Sequence, residues 1–349
     1  MTGELTTPVP TRWVGPLHLS GDVAGEVEVP LATYESPLWP SVGRGARLSR
    51  LVPDGIRVSV VDERMTRSTL FIAPTAAAAV AAGRDLEDRI EELGAVVQDR
   101  SRHARLIEID TEVVGHLLFV RFALTTGDAS GHNMVTLAAE GLMDHILRGH
   151  PELAYGSISG NYCSDKKATA VNGILGRGRS VVAEIEVPAG LVVEQLRSSA
   201  DRIVALNTRK NLVGSTIAGA LRSANAHYAN MLLAVYLATG QDAANIVEGS
   251  QGITYAERRG EGDLLFSCTL PNLIVGTVGN GKDLPFVEEA LERMGCRDAG
   301  APGSGARRLA GIVAATVLCG ELSLLAAQTN QGELMASHLV MERRSATQS

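Results

Sequence analysis

The sequence has few cysteines, and none of them belongs to a CxxC pair or has a histidine at ligand-like spacing. That scarcity argues against a disulfide framework and a zinc site, so we expect reduced thiols and no metal. An excess of basic residues is also missing, since the formal net charge is -7. A protein of this charge is not expected to bind nucleic acid. The cysteines are Cys163, Cys268, Cys296 and Cys319.

Neither a targeting segment nor a membrane span is evident. Residues 1–11 lack the basic start and apolar stretch of a signal peptide. The most apolar segment, residues 309–320, is bounded by charged residues and is too short to cross a bilayer, which predicts a buried helix. We therefore expect a cytoplasmic protein with no membrane partner. A strand-anchored GxGxxG motif is missing too, so a Rossmann dinucleotide site is excluded.

What is present is enough apolar sequence for two domains, since 45% of the 349 residues are hydrophobic. From residue 69 the periodicity predicts the β-α-β-β-α-β order of a ferredoxin-like unit. Its predicted elements are a strand at 70–73, a helix from Ala76, strands at 105–109 and 113–124, a helix at 131–148 and a strand at 153–158.

The flanking sequence has a different character and predicts a larger, helix-rich α/β domain. Apolar stripes indicate long helices at 194–206, 215–238, 285–294 and 306–328. We therefore predict an α+β protein whose large domain is interrupted by the small one. The predicted boundaries are 1–68 and 159–342 for the large domain, 69–158 for the small domain, and 343–349 for a mobile tail.

A charged motif, SGNYCSDKK, begins at Ser159, where the chain returns to the large domain. A domain junction is a natural cleft, although an Asp followed by two Lys is by itself typical of a solvated turn. The motif occurs together with several other distinctive blocks. They are GDASGHNM from Gly127, KNLVGS from Lys210, NAHYAN from Asn225, TGQDAAN from Thr239 and LPNLIVGTVGNG from Leu270.

Together with SGNYCSDKKATAVNGILGRGRSVV, these blocks resemble the hydroxymethylglutaryl-CoA reductase family, and most closely its eukaryote-like class. The resemblance covers residues 14–341. It implies reduction of 3-hydroxy-3-methylglutaryl-CoA to mevalonate with two NAD(P)H, so coenzyme A forms part of the substrate. It also implies a homodimer with its active sites between subunits.

The resemblance assigns catalytic roles to Glu35, Lys166, Asp242 and His338. A lysine ammonium suits the oxyanion formed during hydride transfer, where one such donor contributes about 3 kcal/mol. A second carboxylate near Glu35 would raise the pKa of Glu35 and make it a proton donor. Asp242 is predicted at the C-terminal end of a long helix, where the dipole disfavours a negative charge. An imidazolium at His338 can protonate the departing thiolate.

Substrate and cofactor residues follow from the same resemblance. The glycines of GTVGNG, by contrast, lack dinucleotide-binding spacing and are expected to be structural. Ser101 and Arg102 match the position that binds the 2′-phosphate, so NADPH is favoured and NADH remains the alternative. The substrate set is Arg44, Ser159, Asp165, Lys167, Lys210, His227 and Asn230, and the cofactor set adds Asp128, Ala129, Gly131, Asn133 and Met134 at a helix N-terminus.

Two departures from the family pattern keep alternatives open. Ile72 stands where many members have an arginine, and the catalytic glutamate lies between Tyr34 and Ser36 in place of the usual Thr and Gly. Because of these departures, one alternative is that the chain is a non-catalytic relative that binds acyl-CoA. A family member that oxidises mevalonate with NAD+ is the other alternative.

Overall fold

The computed structural model describes residues 7–298 and 300–335. The strands are β1 (Thr11–Gly21), β2 (Gly25–Ala32), β3 (Ile56–Ile72), β4 (Arg105–Val114), β5 (Leu117–Thr125), β6 (Ala154–Ser157), β7 (Gly178–Val187), β8 (Ile253–Arg259) and β9 (Asp263–Leu273).

The helices lie between and after these strands. They are α1 (Leu38–Ser49), α2 (Ala76–Asp88), α3 (Ile90–Arg100), α4 (His132–Gly149), α5 (Ala170–Leu175), α6 (Ala189–Leu196), α7 (Ala200–Leu206), α8 (Ser215–Ile217), α9 (Tyr228–Ala238), α10 (Ile246–Gly249), α11 (Pro285–Arg293) and α12 (Ser304–Gln328). A π-helix (Asn207–Gly214) joins α7 to α8, and a 3-10 turn (Ala243–Asn245) precedes α10.

Strand β3 belongs to two sheets. Its first half pairs with β1 and β7 in the large sheet, whose order is β2-β1-β3-β7-β9-β8. Its second half, from Met65, pairs antiparallel with β5 and β6 in a small sheet of order β4-β5-β3-β6. The prediction ended the large domain at residue 68 and missed this continuous strand, because the charged stretch at 62–64 resembles a turn.

The small sheet is covered by α2, α3 and α4, which enclose an apolar core of their own. Along the chain, the elements follow the predicted strand and helix order, except that the first helix is divided into α2 and α3 near Arg89. Thr75 caps α2 by accepting a hydrogen bond from the main-chain N–H of Ala78. The predicted cofactor motif, GDASGHNM at 127–134, runs from the end of β5 into the first turn of α4.

The larger core is built around α12, which packs against α1, α9 and β7. Of the helices in the described part of the chain, α12 alone is long and apolar enough to cross a membrane, and 94% of its most apolar window is buried inside the protein. The apolar segment at 309–320 is the middle of this longer helix, and the expectation of a buried helix is confirmed. All four cysteines are buried and unpaired.

Two predicted helices are broken. The first is interrupted at Arg197, which adopts a left-handed conformation with φ 53° before Ser199 caps α7. The second ends at Ile217, and an irregular segment through His227 separates α8 from α9. Apolar periodicity continues across both breaks, so it does not reveal them. The breaks and the π-helix shape the surface that carries Lys210 and His227.

Candidate active site

Lys166 and Asp242 form an ion pair at the edge of a cavity of about 560 Å3, with Lys166 Nζ 2.8 Å from Asp242 Oδ2. The hydrogen bond from Lys166 and the main-chain N–H of Ala244 keep the pKa of Asp242 below its ordinary value, although burial opposes them. The same bond raises the pKa of Lys166. The cavity therefore presents a fixed, charged ammonium group.

This geometry corrects the prediction for Asp242. The residue follows α9 by four positions and begins the next 3-10 turn, where its carboxylate accepts from Ala244 N at 3.1 Å. An acidic side chain is favourable at an N-terminus, so the helix dipole does not oppose its charge.

Asp165 lies beside this pair and binds a buried cation. Its carboxylate is 2.9 Å from the guanidinium of Arg177, which is fully buried, and 3.6 Å from His132 Nε2. Burial, together with the nearby charge of Arg177, lowers the pKa of His132 to about 4. His132 is therefore neutral at physiological pH. Lys167 is exposed and donates to the carbonyl oxygen of Asp165.

The cofactor motif lines the same cavity as Lys166. Ala129, Gly131, Asn133 and Met134 all contribute to its wall. Gly131 begins α4 with φ 95°, and a Cβ there would lie 2.5 Å from the side chain of Thr126, which explains the glycine. The first N–H groups of such a helix have no intrahelical acceptor and can bind an anion.

Asp128 has a different position from the other residues of its motif. Its carboxylate accepts from Gly303 N at 2.9 Å and from Ala306 N at 3.0 Å, and so it caps α12. It lines a separate cavity on the far side of the loop that follows β9. The structure therefore gives Asp128 a role in joining α12 to the cofactor loop.

The GTVGNG segment also reaches the cavity, which the prediction of a purely structural role did not anticipate. Val278, Gly279 and Asn280 line the cavity beside the cofactor motif, where Val278 forms a parallel β-bridge with Ala129. Lys282 follows them, and its ammonium group donates to the carbonyl oxygen of Gly240. Burial, aided by the charge of Arg297, lowers the pKa of Lys282 to about 8.

Glu35 lies in a second cavity, of about 390 Å3, with Arg44, His227 and Asn230. Asn230 Nδ2 donates to Glu35 Oε2 at 2.8 Å, and Arg44 is 3.1 Å from the carboxylate of Glu333. Among the residues that the structure describes, none lines both this cavity and the one that contains Lys166. The resemblance assigns catalytic roles to Glu35, Lys166 and Asp242, and within one chain Glu35 is thus separated from the other two.

Lys210 extends from the π-helix towards the second cavity. Its ammonium group donates at 2.7 Å to the side chain of Gln328, which lines that cavity, and burial lowers the pKa of Lys210. Ser159 lies in a tight turn after β6, where its N–H donates to Ser157 Oγ. Lys210 is therefore grouped with Glu35, and Ser159 lines neither cavity.

A third cleft, of about 370 Å3, is rich in arginine and adjoins Gly127 at the start of the cofactor motif. Arg102 lines it, whereas Ser101 Oγ is used in a turn, where it accepts from the N–H of Ala104 at 3.0 Å. Several guanidinium groups in one cleft suit a phosphate. The other arginines are Arg64, Arg105, Arg179 and Arg307.

His338 and the tail at 343–349 lie outside the described residues. In the part of the chain that the structure describes, no group of three potential ligands could hold a metal ion. The arrangement thus combines a lysine–aspartate pair, a helix N-terminus suited to an anion, and a cationic cleft.

A profile of the family described as hydroxymethylglutaryl-coenzyme A reductase matches residues 3–343. This chain belongs to that family. Among curated relatives, the 3-hydroxy-3-methylglutaryl-coenzyme A reductase of Pyrococcus horikoshii is 44% identical, covering 91% of this chain and 78% of the relative. The reductase of Aeropyrum pernix is also 44% identical, covering 96% and 79%. That of Strongylocentrotus purpuratus is 43% identical, covering 96% and 36%.

The fold of the reductase family is found in solved structures as well. A class II 3-hydroxy-3-methylglutaryl-CoA reductase from Streptococcus pneumoniae, bound to NADPH, matches with a TM-score of 0.74 and 20% identity. The match covers 93% of this chain and 86% of that protein. The mixed α+β architecture is therefore that of a family member.

Sequence reasoning missed the buried residues that surround the two cavities. Arg177 and Glu248 form an ion pair beneath Lys166, and both are fully buried. Glu321 is buried beneath His227 and accepts from its main-chain N–H at 3.1 Å. The one available signal was a charged residue within an apolar stretch, as in IVEGSQG and LCGELSLL.

Proposed function

We propose that this chain is an oxidoreductase that reduces 3-hydroxy-3-methylglutaryl-CoA to mevalonate and coenzyme A with two equivalents of NADPH. The observation that carries the proposal is the cavity in which the Lys166–Asp242 pair faces the cofactor motif at the start of α4. A cation that faces a dinucleotide site suits carbonyl reduction. The identity of the substrate is assigned from the family to which the chain belongs.

Lys166 stabilises the negative charge that develops on the thioester oxygen, and later on the aldehyde oxygen. NADPH, when bound, supplies the hydride for each reduction. Because Asp242 holds the ammonium group in place, little reorganisation is needed as the charge forms. Glu35 supplies protons, and His338 protonates the coenzyme A thiolate.

The substrate contacts are assigned to both cavities. Asp165 and Lys167 bind the hydroxyl and carboxylate groups close to Lys166, with Ser159 at the start of the same loop. Arg44 binds the phosphates of coenzyme A, and Lys210 binds the distal carboxylate. His227 and Asn230 line the cavity that contains Glu35. In this assignment the substrate contacts both the residues near Lys166 and those of the cavity that contains Glu35.

The cofactor contacts follow the family motif. The N–H groups that begin α4 hold the pyrophosphate, with Asp128 and Ala129 before Gly131, and Asn133 and Met134 after it. The arginine-rich cleft beside Gly127, which Arg102 lines after the turn at Ser101, holds the 2′-phosphate. This cationic cleft supports NADPH over NADH.

We further propose that β3 to β6, with α2, α3 and α4, form an inserted ferredoxin-like unit that binds the cofactor. The order β4-β5-β3-β6 and its antiparallel pairing support that assignment. We retain 69–158 as its predicted boundaries, with the flanking parts of the large domain at 1–68 and 159–342. Identities of 43% and 42% to sea urchin and rice reductases support the eukaryote-like class.

The functional unit in this proposal is a cytoplasmic homodimer. Glu35 and Lys166 line different cavities of one chain, yet the chemistry needs both on one substrate. A dimer in which the Lys166 cavity faces Glu35 of the partner subunit meets that need. A two-fold axis repeats this contact, so the dimer contains two equivalent sites.

The test follows absorbance of NADPH, and separately of NADH, with 3-hydroxy-3-methylglutaryl-CoA, and counts cofactor oxidised per coenzyme A released. We expect two NADPH per coenzyme A and a loss of roughly 100- to 1000-fold in kcat for Lys166→Ala. Absence of turnover with both cofactors would reject the proposal and leave a binding role. Efficient NAD+-dependent oxidation of mevalonate, with poor NADPH use, would favour the catabolic alternative.

A second experiment addresses His338. Because only the thioester step releases a thiolate, His338→Gln should slow reduction of 3-hydroxy-3-methylglutaryl-CoA more than reduction of free mevaldehyde. Steady-state rates on the two substrates provide the measurement. Equal losses on both would exclude His338 as the acid for coenzyme A.

A further inference from the structure

The loop that carries Lys166 has an unfavourable backbone conformation. Asn161, Ser164 and Lys166 have φ values of 60°, 40° and 57°, in the left-handed region that side chains other than glycine rarely adopt. The cost is roughly 1–2 kcal/mol for each of Ser164 and Lys166, whereas asparagine tolerates this region better. Three such residues within six positions require contacts that hold the loop in place.

One of those contacts is made by a buried carboxylate. The main-chain N–H of Lys166 donates to Glu248 Oε1 at 3.1 Å. The same oxygen accepts from Arg177 at 2.8 Å and from Asn245 Nδ2 at 3.0 Å. Glu248 is fully buried, so these bonds are shielded from water.

Glu248 and Asp242 lie six residues apart on a single short segment formed by the 3-10 turn and α10. Asp242 binds the ammonium group of Lys166, and Glu248 binds its main chain. Both ends of the lysine are therefore attached to the same rigid segment. The other arm of Arg177 binds Asp165, which fixes the residue before Lys166 as well.

We propose that Glu248 is a positioning residue, which holds Lys166 where its ammonium group meets the developing oxyanion. The inference rests on the proposed reductase function and extends it to a residue outside the cavity wall. Glu248 does not touch the substrate in this account. It acts through the hydrogen bond to Lys166 N and through Arg177.

Two conservative variants of Glu248 distinguish the effect of its hydrogen bond to Lys166 N from the effect of its negative charge. In Glu248→Gln, an amide oxygen at the Oε1 position keeps all three donors, while the negative charge beside Arg177 is lost. In Glu248→Asp, the charge remains, but the shorter side chain withdraws the oxygen from Lys166. Asp110→Asn is a matched control, because Asp110 also pairs with a buried guanidinium, that of Arg121, at 3.2 Å.

We expect Glu248→Asp to lower kcat roughly 10- to 100-fold, as misplacement of a reacting group by about 1 Å does, with KM values changed less than about threefold. Glu248→Gln should keep kcat within about threefold of the natural protein despite a lower melting temperature, since it leaves a buried cation less compensated. Asp110→Asn should lower the melting temperature and leave kcat unchanged.

The measurements are kcat and KM for NADPH and 3-hydroxy-3-methylglutaryl-CoA, with the melting temperature of each variant. A natural-sequence kcat in Glu248→Asp would overturn the inference. A loss of kcat in Glu248→Gln equal to that in Glu248→Asp would overturn it too, because keeping the acceptor oxygen for Lys166 N would then not preserve the activity. Absence of turnover in the unsubstituted protein would instead reject the proposed function.

Discussion

Burial limits the pH range over which the Lys210 side chain stays charged. Its ammonium group is partly buried against Gln328, which lowers its pKa from the ordinary value of 10.5. Only the charged form binds a carboxylate well, so the KM for substrate should rise with pH before pH 10.5 is reached. Lys210→Arg should flatten this dependence, because a guanidinium stays charged.

The size of the Lys210 contribution can be measured with a neutral variant. Lys210→Met should raise the KM for 3-hydroxy-3-methylglutaryl-CoA roughly 10- to 100-fold, since charge-assisted hydrogen bonds contribute about 1.5–3 kcal/mol. The KM for NADPH provides the control and should stay unchanged. An unaltered KM for the acyl-CoA would remove Lys210 from the substrate site.

His132 predicts a dependence of stability on pH. Its pKa is about 4 in the folded protein and near 6.5 when unfolded, so the unfolded chain binds more protons between these values. The free energy of unfolding should therefore fall as pH decreases from 6.5 towards 4. Urea titrations across this range should show a weaker decrease for His132→Asn. An identical decrease in both proteins would contradict the assignment.

At the level of single residues, the family resemblance named candidate catalytic groups, but the sequence did not reveal their surroundings. Lys166 and Asp242 are paired, as the family resemblance implied. The prediction for Asp242 was wrong about the helix dipole, because the end of α9 could not be located from apolar periodicity. Glu248 and Arg177 were missed because buried charge depends on tertiary contacts that one sequence does not reveal.

Helix packing positions the second cavity. α1 crosses α12 so closely at Gly45 that a Cβ there would lie 2.4 Å from Cys319 Cα. Gly45→Ala should therefore lower the free energy of unfolding by about 1–3 kcal/mol through overpacking. Because Arg44 is the neighbouring residue and bonds to Ser323 on α12, the variant should also raise the KM for the acyl-CoA.

The matched control is a helical glycine with space around it. A Cβ at Gly94 in α3 meets nothing within 4 Å, so Gly94→Ala should raise the free energy of unfolding by about 0.5–1 kcal/mol. Denaturant titration of both variants provides the comparison. Equal effects of the two substitutions would show that the α1–α12 crossing is not tightly packed.

The elements of the small sheet were predictable because strand alternation and helical stripes are local signals. β3 was not predicted at full length, since its charged stretch at 62–64 resembles a turn. In the structure these residues are ladder positions, and Glu63 pairs with Arg179 on β7 at 3.0 Å. The π-helix that carries Lys210 was also missed, because its hydrogen-bond pattern leaves no clear period in the sequence.

At the scale of the whole molecule, the predicted catalytic residues fall into two groups. Lys166 and Asp242 lie beside the cofactor motif, whereas Glu35 lies with Arg44 and Asn230 in a cavity between α1, α9 and α12. The sequence could name members of both groups through the family resemblance. It could not show their separation, which arises from the packing of the complete chain.

In the proposed dimer, these two cavities are halves of one reductase site, which a second copy of the chain completes. The most direct test mixes Glu35→Gln with Lys166→Ala under conditions that exchange subunits, and measures NADPH oxidation. Each variant alone should be nearly inactive. Random exchange makes half of the dimers mixed, with one intact site each, so the mixture should recover about a quarter of the natural activity. No recovery, with exchange verified, would show that Glu35 and Lys166 act within one subunit and would contradict the account.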